Sequence, residues 1–522
     1  RLSTDGGRAP RPALMVAAGI LLSRIIGLVR NRVFAHYFGT STAADAFNAA
    51  FRIPNFLQNL FGEGVLSASL IPVYAGLRAG GRTREAAAVA TAVASLLGLV
   101  VSLLVLGGVL LAPWLIDVIA PGFEGEKREL TVRLVRILFP GAGLLALSAW
   151  CLGVLNSHRR FFLSYVAPVV WNAAIIVALV MFGNRRAQPD LAVIAAWGSV
   201  VGSLLQLLLQ LPTVLRVLDG LRPGPLFGPG SRVVLRNFGP VFVGRGVVQI
   251  SAYVDTLLAS LLPTGAVAAV SYAQVLYTLP VSLFGMSVSA AELPEMSSAT
   301  GTGEERAAHL RARLESGLRQ IAFLVVPSVV GFVALGDVVT GALYQSGEFT
   351  REMTLYVWGI LAGASVGLLP STLGRLYSSA FYALHDTRTP LRIALVRVSL
   401  GMLLGYVLAL HLPSALGLGG EWGAAGITLA SGLAAGVEYL LLRRALSRRI
   451  GATRLPAGLV GRLWAAAGLA GAAGWLLRVV LPPLHPIAVA ALVLAAFGLV
   501  YFGVGLAAGV PEARALLRRI SA

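Results

Sequence analysis

The sequence predicts an all-α polytopic membrane protein of about fourteen transmembrane helices, built as two six-helix lobes followed by two further helices. Three observations predict it. Of 522 residues, 57% are hydrophobic and only 12% charged, with mean hydropathy +0.80, which is more apolar surface than one soluble core can bury. Apolar blocks of about 20 residues, enough for a helix to cross ~30 Å of hydrocarbon, recur from end to end. The segments between blocks alternate between arginine-rich and arginine-poor.

Taken in order, the spans lie near 13–37, 43–77, 87–119, 130–156, 163–183, 190–212, 238–262, 265–297, 317–344, 353–384, 390–411, 422–443, 459–481 and 485–509. Several exceed the length of a straight crossing, so tilts or kinks are expected. Pro54 with Gly62 and Gly64, Pro140, Pro168, Pro280 and Pro370 are the natural break points. The first dozen residues are polar, with no small-residue cleavage site after the first block. They read as a mobile tail ahead of an uncleaved helix, and the missing initiator Met points to a trimmed start.

Loops after even-numbered spans carry Arg78, Arg82 and Arg84, then Arg159 and Arg160, and so on to Arg443, Arg444, Arg448, Arg449 and Arg454. Loops after odd-numbered spans are nearly bare, apart from Lys127, Arg128, Arg185, Arg186 and Arg351. The positive-inside rule then puts both termini in the cytoplasm. The net charge of +19, almost all arginine, reads as loops facing an anionic inner leaflet, not as a nucleic-acid surface. The single cysteine, Cys151, lies in an apolar block, which excludes a disulfide framework. No Gly-rich GK[ST] loop, HExxH or metal-spaced histidines appear, so no enzyme chemistry and no ATP-driven step is expected, and no cofactor.

Charge is concentrated where it costs most. Between Ser23 and Ser69, two apolar spans joined by the turn Phe38-Gly39-Thr40 hold Arg24, Arg30, Arg32, Asp45, Arg52 and Glu63. A guanidinium at mid-bilayer costs roughly 2.5–3.5 kcal/mol on insertion scales, so such a helix pair needs a watery cavity or an anionic guest. The stretch also has an echo: Thr40–Pro54 and Thr264–Pro280 each follow a short outer turn, open a span and end at a proline, with Glu63 and Glu292 beyond. Two lobes related by an axis along the membrane normal follow, residues 13–236 and 237–450, with a tail at 1–12 and spans 13–14 plus a second tail at 451–522.

The segment beginning SRIIGLVRNRVFAHYFGTSTAADAFNAAFRIPNF resembles the opening of the MurJ (MviN) family of lipid II flippases, in the multidrug/oligosaccharidyl-lipid/polysaccharide exporter superfamily. Ala120–Phe123 (APGF), Arg160–Phe161, Ala167–Pro168, Gly239–Pro240, Gln249–Thr256 (QISAYVDT), Gln345–Thr350 (QSGEFT) and Phe381–Pro390 (FYALHDTRTP) extend the resemblance in order over most of twelve spans. It implies a V-shaped pair of lobes and a groove at spans 13–14 for a polyprenyl tail. It also implies a multi-pass protein of the bacterial cytoplasmic (inner) membrane that works in peptidoglycan and cell-wall biogenesis. The partners it implies are lipid II, the bilayer and cell-wall synthesis proteins.

The resemblance places Arg24, Arg30, Asp45, Arg52 and Glu63 at cavity positions. Arginine suits a diphosphate because its planar fork binds oxygens bidentately and keeps its charge in a partly dry site. Arg24 and Arg30 are assigned to diphosphate capture. Asp45 and Glu63 suit pairing with arginines, or gating. Arg52 either joins the substrate set or pairs with Asp45 at i, i+7, and Arg32 snorkels at the surface. Asp255 sits where some family members have a sodium ligand, but span 11 offers few oxygens, so a structural or gating role is expected; coupling to an ion or proton stays open. Arg375 and Arg397 in spans 10 and 11 are cavity candidates, and Trp114, Trp422 and Trp475 are interface anchors. Two positions depart from the family pattern: Val275, where a span-8 arginine is common, and Gln58-Asn59, where a basic pair is common. Arg245, flanked by Gly244 and Gly246 in span 7, is the candidate to replace the span-8 charge, against a snorkelling role at equal weight. Alternative cargoes are another polyprenyl-diphosphate glycan or, in a multidrug antiporter, an organic cation; a non-transporting scaffold is the fourth reading. An arginine-rich cavity disfavours a cationic cargo.

Overall fold

With no water in hydrocarbon to satisfy backbone N–H and C=O groups, a chain this apolar resolves into helices. The computed structural model describes residues 11–61, 63–218, 220, 225–298, 303–453 and 455–521. Among these the only extended pairing is a single bridge between Ser346 and Phe349.

The first helices are α1 (Arg11–Phe38), α2 (Thr42–Phe61), α3 (Glu63–Ala79), α4 (Thr83–Leu110), α5 (Ala112–Ile119), α6 (Gly125–Ser157), α7 (Phe161–Phe182), α8 (Gln188–Val217) and α9 (Pro229–Ser260). There follow α10 (Ala266–Pro280), α11 (Ser287–Ser297), α12 (Gly303–Tyr344), α13 (Arg351–Ser365), α14 (Leu368–Ala383), α15 (Arg388–Leu410) and the short α16 (Leu412–Ala415). The last are α17 (Gly423–Ile450), α18 (Ala457–Val480), α19 (Pro486–Ala507) and α20 (Pro511–Ser521).

Among the described residues, ten helices are long and apolar enough to cross a membrane, taking α10 through α11 as one. The count is eleven if α13 and α14, bent by 43° at a short break, form one crossing. Helices α1, α2, α3 and α9 lie outside that set, so the described helices alone do not reach the fourteen crossings expected from sequence.

The breaks expected at Pro140 and Pro168 do not occur, because α6 and α7 run through them; α2 runs through Pro54 but ends at Phe61, beside Gly62, which lies outside the described residues, and α3 starts at Glu63. An interior proline forfeits one backbone hydrogen bond, whereas a full break in hydrocarbon strands several groups. At Pro280 the helix does change register, widening into a π segment, Val281–Met286, before α11. Near Pro370 the break falls earlier, at Val366 and Gly367.

Two compact units divide the chain, residues 1–257 and 258–522. The expected lobe boundary at 236/237 falls inside α9, most of which groups with the first unit. In that unit α6 is the central helix, packed on α2, α3, α4 and α8, while α7 bridges α1 and α8. Close approach of α7 and α8 needs a missing side chain: a Cβ on Gly202 would sit 2.8 Å from the Trp171 carbonyl oxygen. In the second unit α17 packs on α13, α14 and α15. Helices α18 and α19 lie on α12 through Phe323, Val326, Leu463, Ala466, Ala467 and Tyr501, with the Tyr501 hydroxyl donating to the Phe323 carbonyl at 2.7 Å. Buried Asp337 of α12 ties this layer together, its Oδ2 lying 2.6 Å from Arg351 of α13 and 2.7 Å from Arg478 of α18.

The internal echo is written most clearly in the turns. Gly39 and Gly265, each at positive φ just before α2 and α10, are 226 positions apart (265 less 39). The same offset relates two buried phenylalanines: the Phe123 N–H donates to the Ala120 carbonyl and the Phe349 N–H to the Ser346 carbonyl, both at 3.0 Å. It also relates Arg159 and His385, the two non-glycine residues at positive φ among those described. Around them Arg160 donates to Leu155 and Asp386 to Phe381, both at 2.9 Å, so the α6–α7 and α14–α15 turns close in the same way. A left-handed residue at a helix end satisfies carbonyls that would otherwise lack donors, and the two units use it at corresponding places.

Candidate functional site

In the first unit, α1, α2, α7 and α9 bring three of the charged candidates, Arg30, Arg52 and Asp255, to one aromatic framework. Phe34, Phe47 and Phe51 form a ladder between α1 and α2, with centroids of Phe34 and Phe47 5.0 Å apart and of Phe47 and Phe51 5.6 Å apart. Phe47 and Phe51 meet because they are one helical turn apart. Trp171 of α7 continues the stack, 5.8 Å from Phe51 with ring planes 17° apart. Over this end sits the Arg30 guanidinium, 5.3 Å from the Trp171 centroid and 5.8 Å from Phe51. One Arg30 nitrogen also donates to Asn31 Oδ1 at 3.0 Å. Cation–π attraction of about 0.5–2 kcal/mol per face holds the planar group in place.

Arg52, next to Phe51, is half-buried, and Asp255 of α9 stabilises its charge electrostatically. The same α9 turn presents Tyr253, whose hydroxyl donates to the Arg52 carbonyl oxygen at 3.1 Å, and Phe56 packs edge-on against its ring at 5.3 Å. Pro54 lies between Arg52 and Phe56, so α9 grips α2 at the turn where a backbone donor is missing.

Asp45 pairs with a lysine that was not among the expected partners. It is 1% exposed, and Lys127 Nζ at the start of α6 lies 2.6 Å from its Oδ2. Lys127 also stands over the Phe123 ring at 4.1 Å. The only lysine in the chain thus closes the first turn of α2 onto α6. An ammonium on a flexible stem reaches a carboxylate at a helix start that a fork anchored seven residues along α2 would have to fold back to meet.

A model of the lipid II flippase MurJ family matches residues 34–496. Lipid II flippase MurJ of Burkholderia cenocepacia is 32% identical over 446 residues, 84% of each chain. The probable lipid II flippase MurJ of Rhizobium tropici is 34% identical over 405 residues, 76% of this chain and 74% of that one. The chain belongs to the lipid II flippase MurJ family. A solved lipid II flippase MurJ in an inward closed conformation superposes with a TM-score of 0.75 at 23% identity, covering 94% of this chain and 99% of the other. An inward-facing multidrug resistance transporter of the MATE family and MOP superfamily follows at 0.66, with 18% identity and coverage of 84% and 99%. The fold is therefore the one that MurJ proteins share with MATE transporters.

The remaining candidates lie elsewhere. Arg24 is exposed on α1, six residues and ~9 Å along the axis from Arg30. Arg375 is exposed on α14, and Arg397 of α15 pairs with Glu438 of α17 at 3.2 Å, both in the second unit. Glu63 opens α3 and Arg245 lies within α9, but their side chains fall outside the described residues, as do those of Gln58 and Asn59. Among the described residues no three His, Cys, Asp or Glu side chains gather as a metal site. Sequence reading missed Trp171, Tyr253 and Lys127 as partners. The signals were present: a lone lysine among 42 basic residues, and a tyrosine two positions before Asp255.

Proposed function

We propose that this protein moves lipid II, the undecaprenyl-pyrophosphate-linked peptidoglycan precursor, from the inner to the outer leaflet of the bacterial cytoplasmic membrane by alternating access. The observation that carries the reading is Arg30, a guanidinium seated on Phe51 and Trp171 inside apolar helices. A diphosphate needs a fork of donors that stays charged away from bulk water, and aromatic faces beside it suit the sugar that follows. Family membership supplies the cargo. Arg52, Arg24 and Arg245 join Arg30 as diphosphate ligands in this reading. Asp45, Glu63, Asp255 and Arg375 form or break ion pairs during the transport cycle.

Counting α1, the α2–α3 pair and α9 as crossings brings the number to fourteen and returns both termini to the cytoplasm, as the loop arginines require. The polyprenyl tail remains in lipid, aided by α18 and α19. An apolar cleft of about 430 Å³ lined by Leu369, Tyr439, Arg443, Leu463 and Trp464, among others, suits that tail. No covalent chemistry is assigned to the protein, and recruitment of cell-wall synthesis proteins is part of the same reading. Val275 and Gln58 favour testing a second cargo, another polyprenyl-diphosphate glycan. The deciding experiment depletes the native lipid II flippase of a test bacterium. Restored growth and surface delivery of lipid II support the assignment, while folded, membrane-inserted protein that restores neither removes it.

A further inference from the structure

In the first unit, α6 and α8 border a cleft of about 470 Å³ lined by Arg128, Glu129, Arg133, Arg136, Ile137 and Trp197. Arg128 is spent on Asp117, which accepts two of its donors at 2.7 and 2.9 Å. Arg133 and Arg136 are exposed and make no ion pair among the described residues; Arg136 donates only a long 3.4 Å bond to the Val109 carbonyl. The lining holds three arginines against Glu129, and Asp117 takes one of those charges, leaving about one net positive charge.

Below the cleft the surface turns apolar along one face of α8. Trp197 is 55% exposed, and Val201, Leu204, Leu205, Leu208 and Leu209 follow at 40–50%, spaced at i, i+4, i+7, i+8, i+11 and i+12. That stripe is ~18 Å long at 1.5 Å per residue. Basic donors at one end, an indole beside them and an apolar bed beyond match a lipid with a singly negative phosphate headgroup.

We propose that this cleft is a binding site for an anionic glycerophospholipid of the leaflet facing the α7–α8 turn, the outer leaflet in the topology above. Arg133 and Arg136 take the phosphate, and the acyl chains start along Trp197 and Val201. About one net positive charge in the lining favours a singly charged phosphate over a polyprenyl diphosphate. The proposal does not depend on what the protein transports.

The test uses the full-length protein in detergent, titrated with phosphatidylglycerol or phosphatidylcholine and read by native mass spectrometry. Phosphatidylglycerol should bind preferentially. Arg133→Gln with Arg136→Gln should weaken it by about tenfold or more, the scale of losing one charge-assisted contact, and Arg133→Lys with Arg136→Lys should retain most of it. A mutation-free arm covers a misfolded variant: phosphatidylglycerol carrying a photoreactive headgroup should label the wild-type protein within 128–137 or at Trp197. Equal binding of the two lipids, unchanged binding in the folded Gln variant, labelling confined to other segments, or displacement from the cleft by a polyprenyl diphosphate in preference to phosphatidylglycerol would each overturn the proposal.

Discussion

Lys127→Met removes the ammonium 2.6 Å from an Asp45 carboxylate that is 1% exposed. Lys127 itself is only 14% exposed, so solvent screens the pair little. Breaking a buried pair on one side leaves a desolvated charge, at a cost of about 3–5 kcal/mol. At about 2–4 °C per kcal/mol for a unit of this size, the first melting transition should fall by roughly 6–20 °C. Loss of the Lys127 contact with the Phe123 ring adds a smaller effect in the same direction. The assay is thermal unfolding of purified protein followed by a dye that reports Cys151, which is buried on α6 and emerges when the unit opens. Asp45→Asn with Lys127→Met should recover most of the loss, because neither charge then stays unpaired. A Lys127→Met protein melting within about 2 °C of wild type would refute the reasoning, since no buried charge could then have been stranded.

Burial first, then the Arg78 and Arg160 charges, hold the His158 imidazole down at about 4, and Tyr74 bonds its Nε2 at 2.8 Å. The stability from neutral His158 is therefore full above its ordinary value of ~6.5 and is lost as pH falls towards about 4; His158→Gln should flatten that part of the melting-temperature profile, and an unchanged profile counts against it. Arg245→Ala should abolish transport and Val275→Arg should restore it if the span-7 charge replaces a span-8 one, whereas a silent Arg245→Ala ends that idea. For topology, cysteines replacing exposed Ala452 and Leu416 in a Cys151→Ala background should be protected from, and open to, an impermeant reagent in intact cells, respectively, and the reverse overturns it. Thr453 would be a poor probe, because it is 1% exposed and bonded to Tyr377.

Much of the fold was legible because a bilayer enforces it: apolar length and turn glycines each answer to one physical demand. The echo of Thr40–Pro54 in Thr264–Pro280 was faint as sequence. It is firmer as geometry because Gly39 and Gly265, or Arg159 and His385, conserve a backbone conformation with little shared side-chain chemistry. Proline was over-read: α6 passes through Pro140 and α7 through Pro168, since one lost bond costs less than an open turn in lipid. The partners of the charged candidates were not legible. Asp45 and Lys127 are 82 residues apart, and the stack from Phe51 to Trp171 joins helices separated by four others, so no local periodicity could align them.

The central claim is that Arg30 holds the diphosphate, and binding of lipid II to purified wild-type, Arg30→Lys and Arg30→Ala proteins tests it most directly. The account predicts affinity roughly 10–150-fold lower for Arg30→Ala, the range expected from one charge-assisted contact. Arg30→Lys should be intermediate, and all three should lose their differences when the diphosphate is replaced by a neutral linkage. Equal affinity of folded Arg30→Ala and wild-type protein for lipid II would contradict it.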